Sequence, residues 1–225
     1  ADKAGVDLYY EASVGGAIPI LRPMRESIVG DHVNRVMGIV NGTTNYILTK
    51  MDEEGSSFEE VLKEAQYLGF AEADPTADIA GHDAAAKAAI LAGLAFHSRI
   101  TSSDVYCEGI SQISARDVAV ARDMGCVIKL LAIAELTKDN EISVRVHPTL
   151  ISRKHPLAAV RLAFNAVFIE AQSAGELMFY GRGAGGEPTA SAILGDLIAI
   201  ARNKIRGGQG QGESDYADLA IAAID

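Results

Sequence analysis

Residues 83–96 hold two charged side chains, Asp83 and Lys87, in a run of alanines joined by Ile90, Leu91, Leu94 and Phe96. Alanine and leucine are strong helix formers. A helix apolar on nearly every face has no side to show water and must be buried. Burying it takes apolar layers around it. Hydrophobic residues make up 48 % of the 225-residue chain, enough to build those layers and offset the entropy of ordering.

The covering layer reads as a sheet. At 142–147, Ile142, Val144 and Val146 alternate with Ser143, Arg145 and His147, the pattern of a half-buried strand. Further strands are expected over 8–12, 33–40, 105–110, 165–172 and 176–180, with Ser173-Ala174-Gly175 as a hairpin turn between the last two. Residues 126–134 are apolar and fit a strand or a helix, the strand slightly favoured by its company. Helices are expected over 18–29, 45–54, 114–124 and 187–204, with Pro19 and Pro23 near the first turns of the first. Asn41-Gly42-Thr43-Thr44 can cap the 45–54 helix. Ser57 and Glu60 form a capping box for a helix running to 68, which Gly69 terminates. Asp83 is expected to cap the buried helix.

Strands with helices grouped unevenly between them predict an α+β fold: a mixed, largely antiparallel sheet with helices packed mainly on one face. One domain is expected over 1–206. Residues 207–225 read as a flexible Gly-rich linker and a short apolar stub, the composition of a connection toward a following domain.

Charge narrows the function classes. Asp plus Glu number 30 and Lys plus Arg 20, so the formal net charge is -10. The basic residues are scattered, so nucleic acid is not an expected partner. No apolar run approaches the roughly 18 residues of a membrane span, and no membrane partner is expected. The opening residues do not read as a signal peptide. Two cysteines, Cys107 and Cys126, suit a reducing cytosol and a cytoplasmic location.

The densest polar cluster is Glu72-Ala73-Asp74-Pro75-Thr76-Ala77-Asp78-Ile79-Ala80-Gly81-His82-Asp83, with Lys87 following. Asp83 and Lys87 are four apart and share a helix face. A surface ion pair is one reading, worth about 0.3–0.5 kcal/mol. A lysine buried among alanines is another. It would need a carboxylate partner or a lowered pKa, and could then relay a proton. A divalent metal is a third, although the central Gly and terminal Glu of a calcium loop are missing.

Gly181-Arg182-Gly183-Ala184-Gly185-Gly186 spells G-x-G-x-x-G between a strand and a helix. A dinucleotide fold needs a second strand ending in an acid about 20 residues on, where the Gly-rich linker lies. The segment is thus a tight turn, or a backbone approach to an anion or ligand. The turn from Glu11 through Gly15 and Gly16 exposes carbonyls that could ligate a monovalent cation with Glu11. The five histidines are isolated and show no metal spacing.

The segments Tyr10-Glu11-Ala12-Ser13-Val14-Gly15-Gly16, Asn41-Gly42-Thr43-Thr44-Asn45-Tyr46-Ile47-Leu48 and Gly69-Phe70-Ala71-Glu72-Ala73-Asp74-Pro75, the last continuing through Gly81-His82-Asp83 to Lys87, resemble the homoserine dehydrogenase family. The resemblance runs over about 8–204. It implies reduction of L-aspartate 4-semialdehyde to L-homoserine with NADP or NAD as cofactor, toward threonine, methionine and isoleucine. It implies Lys87 as proton donor to the aldehyde oxygen and Glu72 and Asp83 as the carboxylates that hold the amino acid. Gly42, Thr43 and Asp78 become neighbouring substrate contacts, and Gly69, Glu72 and Gly185 positions near the nucleotide. Glu11 with the backbone of Val14, Gly16 and Ile18 becomes a site for a monovalent cation such as Na⁺. Phe70 departs from the family's tyrosine. The resemblance also implies a homodimer and a dinucleotide-binding domain upstream of Ala1. This chain would then be the substrate-binding and dimerisation part, inactive alone. Two other readings stay open: a noncatalytic dimerisation module, and a related two-domain dehydrogenase acting on another aldehyde.

Overall fold

The computed structural model describes residues 1, 4–207 and 219–223. The fold is α+β, built on a six-stranded sheet. Its strands are β1 (Val33–Ile39), β2 (Tyr106–Cys107), β3 (Cys126–Leu136), β4 (Ile142–Ser152), β5 (Phe164–Ala171) and β6 (Gly175–Arg182). Their order is β2-β4-β3-β1-β5-β6. Only β2 and β4 run parallel; the other pairings are antiparallel.

The helices are α1 (Gly42–Glu54), α2 (Phe58–Tyr67), α3 (Thr76–Ile79), α4 (His82–Ala95), α5 (Ala115–Asp123) and α6 (Gly186–Ile205). Side chains of α1, α2, α4 and α5 join Ile128, Leu130, Val144, Val146, Val167 and Ile169 in the larger core on one sheet face. The other face holds a smaller core with Met37, Val127, Leu131, Leu157 and Phe168. Helices on one face of a mixed, mainly antiparallel sheet is the expected arrangement. No helix among the described residues is long and apolar enough to cross a membrane.

The expected capping box at Ser57–Glu60 forms, and further ones occur at Thr101–Asp104 and Ser114–Asp117. Strand β3 is buried on both faces, which is why its apolar run showed no period. The expected strand at 8–12 is instead an irregular segment ending in a 3-10 turn, Glu11–Ser13. Its buried carboxylate accepts from Leu21 N at 2.8 Å and Arg22 N at 2.9 Å, and this ties it to the next helical turn rather than to a sheet. The expected 18–29 helix is short and widened: Pro23–Ser27 is a π-helix, with Ile28 N bonding Pro23 O. Proline has no N–H and clashes with the carbonyl four residues back, so a regular helix cannot pass through it. The 105–110 strand shrinks to two residues because Ile110 N turns away to bond Ile79 O at 2.8 Å. The 207–225 linker lies almost wholly outside the described residues, although Ile221 makes a single bridge to Ile142.

Lys129 interrupts the core of β3. It is 1 % exposed. Its Nζ donates to Val160 O at 2.6 Å and Asn45 Oδ1 at 2.9 Å, with Thr49 Oγ1 at 3.5 Å. Burial pushes its pKa down to about 8, against the pull of Asp52 and Glu53. An unfolded lysine titrates near 10.4, so between about pH 8 and that value the unfolded chain binds more protons than the folded one. Stability contributed by this group therefore rises with pH through that window. Relative to Lys129→Met, the wild-type chain should gain about 3 kcal/mol between roughly pH 7 and pH 10.5. Urea denaturation of both proteins across the range checks this, and a constant difference would contradict it.

Candidate active site

A cleft of about 1130 Å³ opens where the start of α1, the end of α2, α4, residues 162–165 and the turn before α6 meet. Asn41 is at its centre. It is the N-cap of α1, and its Oδ1 accepts from Thr44 N at 2.9 Å. The other end of the amide faces away from the helix. Nδ2 donates to Asp78 Oδ1 at 2.7 Å and to Asp83 Oδ2 at 2.9 Å. One capping side chain thus brings two carboxylates from α3 and α4 to the mouth of α1.

Asp83 does not cap its helix as expected. Gly81, at φ 87°, takes the N-cap position, and Asp83 lies inside the first turn. The difference matters for chemistry. A capping carboxylate is consumed by helix N–H groups, whereas this one is free to turn toward Lys87. Lys87 Nζ lies 2.7 Å from Asp83 Oδ2 and donates to Val40 O at 3.0 Å. An ammonium has three donors, so one remains for a ligand in the cleft. The Lys87 side chain is 21 % exposed, so the pair is neither a free surface bridge nor a sealed one. Of the open readings, the lysine with a carboxylate partner is the one observed.

The expected substrate residues converge. Gly42, Thr43, Glu72, Asp78, Asp83 and Lys87 all line the cleft. Thr43 turns its hydroxyl to Phe70 O at 2.7 Å, which pins the segment after α2 against α1. Glu72 is exposed at the rim. Gly69 and Gly185 line the cleft too, both with positive φ, 77° and 121°. No group of three or more metal-binding side chains occurs among the described residues.

The Glu11 turn lies apart from these lining residues. Glu11 is 8 % exposed, and both its oxygens accept the backbone N–H groups named above. Its own N–H donates to Asp196 Oδ2 at 2.9 Å, and Arg22 pairs with the same Asp196, anchoring α6. Gly16, at φ 54°, packs so tightly that an added Cβ would lie 2.5 Å from Gly183 O. The turn therefore buttresses the Gly183–Gly185 wall of the cleft.

Sequence reasoning gave Asn41 a capping role and missed its grip on the carboxylates. It did not single out Asn45, Lys129 or Asn165, although Asn165 also lines the cleft. The one available signal was Lys129 itself, a single charge inside an apolar run.

The homoserine dehydrogenase family model matches residues 19–198, well over half the chain. The chain belongs to the homoserine dehydrogenase family. It is 60 % identical to the homoserine dehydrogenase of Corynebacterium glutamicum, over 99 % of this chain and 51 % of that protein. A solved homoserine dehydrogenase from Thiobacillus denitrificans superposes with a TM-score of 0.91 at 43 % identity, covering 95 % of this chain and 51 % of that one. A hyperthermophilic archaeal homoserine dehydrogenase mutant, solved in complex with NADPH, gives 0.76 at 30 % identity, over 89 % of this chain and 57 % of that one. The chain spans about half the length of the curated relatives it matches.

Asn41→Asp would keep the cap acceptor and replace the shared donor with a third carboxylate. The variant should lose roughly 1–3 kcal/mol of stability at neutral pH. Part of the loss should return below about pH 5, where one crowded carboxylate takes up a proton. Denaturant unfolding at both pH values checks this; wild-type stability at neutral pH would contradict it.

Proposed function

We propose that this chain forms the substrate side of a homoserine dehydrogenase, interconverting L-homoserine and L-aspartate 4-semialdehyde with NADP or NAD in the whole protein. The observation that carries the reading is the Lys87 ammonium, oriented by Asp83 and Val40 O, in a cleft that Glu72, Asp78 and the N-terminus of α1 also line.

Each part of an amino acid has a chemical counterpart there. Glu72, Asp78 and Asp83 suit the substrate ammonium, since charge-assisted hydrogen bonds to carboxylates are strong. The N-terminus of α1 at Gly42 and Thr43 suits the substrate carboxylate. Lys87 is left for the oxygen on the side-chain carbon.

The nucleotide fit is partial. An added Cβ at Gly69 would meet nothing within 4 Å, so a flat group could approach the backbone there, and Gly185 opens α6 on the far side of the same cleft. No strand follows α6 among the described residues. When bound, NADP or NAD would supply or accept the hydride. Lys87 then stabilises the charge that develops on oxygen and gives up a proton to it.

Other parts of the same reading are a cytoplasmic homodimer working toward threonine, methionine and isoleucine, and a monovalent cation such as Na⁺ at Glu11. Each Glu11 oxygen accepts one backbone N–H and keeps a second lone pair. One carboxylate with the carbonyls of Val14, Gly16 and Ile18 is a chemically suitable donor set for a single positive charge.

In the whole enzyme, Lys87→Ala should lower turnover by ~10²–10⁴ while the fold survives. Glu72→Ala should act mainly on KM for homoserine. Steady-state kinetics on the purified variants test both, and wild-type turnover in a folded Lys87→Ala protein would end the proton-donor role.

A further inference from the structure

Leu162, Ala163, Phe164 and Asn165 line the same cleft as the Asp83–Lys87 pair. This wall is a loop that becomes β5 only at Phe164. Leu162 has φ 54°, left-handed backbone that a non-glycine residue adopts only when its surroundings impose it. Three side chains do so. Leu162 N donates to Thr49 Oγ1 at 3.1 Å. Asn45 Nδ2 donates to Leu162 O at 2.7 Å and to Phe164 O at 3.1 Å. Lys129 Nζ donates to Val160 O at 2.6 Å and also to Asn45 Oδ1 at 2.9 Å. The last bond fixes which way the Asn45 amide points. With the oxygen claimed by an ammonium, the NH₂ has to face the carbonyls of the loop.

Asn45 is four residues after Asn41, on the same face of α1. Asn41 holds the carboxylate wall and Asn45 the other. The walls come close at Gly42, where an added Cβ would lie 3.0 Å from Ala163 O. A small shift of the loop would therefore alter the space for a ligand at the start of α1.

We propose that Lys129 is a positioning residue: through Asn45 and Val160 it sets the 160–165 wall against the Asp83–Lys87 pair and so fixes the width of the cleft. The inference rests on the reading of this cleft as the homoserine site. The charges around Lys129 are already committed, Glu53 to Arg161 and Asp52 to Arg153. Among the described residues its ammonium hydrogen-bonds no carboxylate; its acceptors are Val160 O, Asn45 Oδ1 and, at 3.5 Å, Thr49 Oγ1.

In the whole enzyme, Lys129→Met keeps the apolar stem and removes the donors. KM for homoserine should rise ~3–10-fold with a smaller change in kcat. Amide exchange should quicken in 160–165 while β1 and β3 exchange as in the wild type. Thr49→Val removes the Leu162 anchor together with the Oγ1 contacts to Asn45 O and Lys129 Nζ, should move both readouts the same way to a lesser extent, and tests the hold on the wall if Lys129→Met does not fold. Unchanged KM with unchanged loop exchange overturns the proposal. So does exchange that quickens through the whole sheet while KM stays put, since that is a loss of stability and not of position. If the wild-type enzyme itself does not turn over homoserine, the reading of the cleft fails, and the exchange comparison still decides whether Lys129 holds the wall.

Discussion

The cleft depends on one amide. Asn41 is 6 % exposed, so each of its polar atoms has to find a partner within the protein. Its oxygen ends α1 and its nitrogen holds Asp78 and Asp83. Two carboxylates at one nitrogen would repel each other without that donor. With it, they are brought together at the N-terminus of α1. The lysine follows from this arrangement. Lys87 lies one helical turn after Asp83, and it also bonds the carbonyl of Val40, the residue before Asn41.

The other wall is built by a different physical means. There a charge is buried almost completely, at a cost that lowers its affinity for a proton. A hydrophobic residue of similar size would avoid that cost. What Lys129 supplies instead is direction: it has more donors than any apolar side chain, and it aims them at a loop with an unfavourable backbone angle. Both devices converge on α1, whose first two turns carry Asn41, Gly42, Thr43 and Asn45. Helix α4, buried along one face but with His82 and Ala86 exposed, presents Asp83 and Lys87 to that same end.

Much of this was legible beforehand. The period-two run at 142–147 and the capping box at Ser57 are local signals, and the elements they mark are present. The 69–87 motif located the carboxylates and the lysine because chemistry-bearing residues are dense there. What escaped was nonlocal. Nothing near Glu11 says that its carboxylate will be used by Leu21 and Arg22, so a strand was the natural reading of 8–12. Asp83 looked like a cap because Gly81 and its left-handed φ were not weighed against it. Lys129 and Asn45 are 84 positions apart, and no periodicity links them.

The central claim is that a homoserine molecule lies between these walls with its hydroxyl at Lys87. A crystal structure of the whole enzyme with homoserine tests it most directly. The account predicts the hydroxyl oxygen within ~3 Å of Lys87 Nζ, at hydrogen-bond distance, with the ammonium among Glu72, Asp78 and Asp83. Homoserine bound with its hydroxyl turned away from Lys87, or bound outside the cleft altogether, would contradict it.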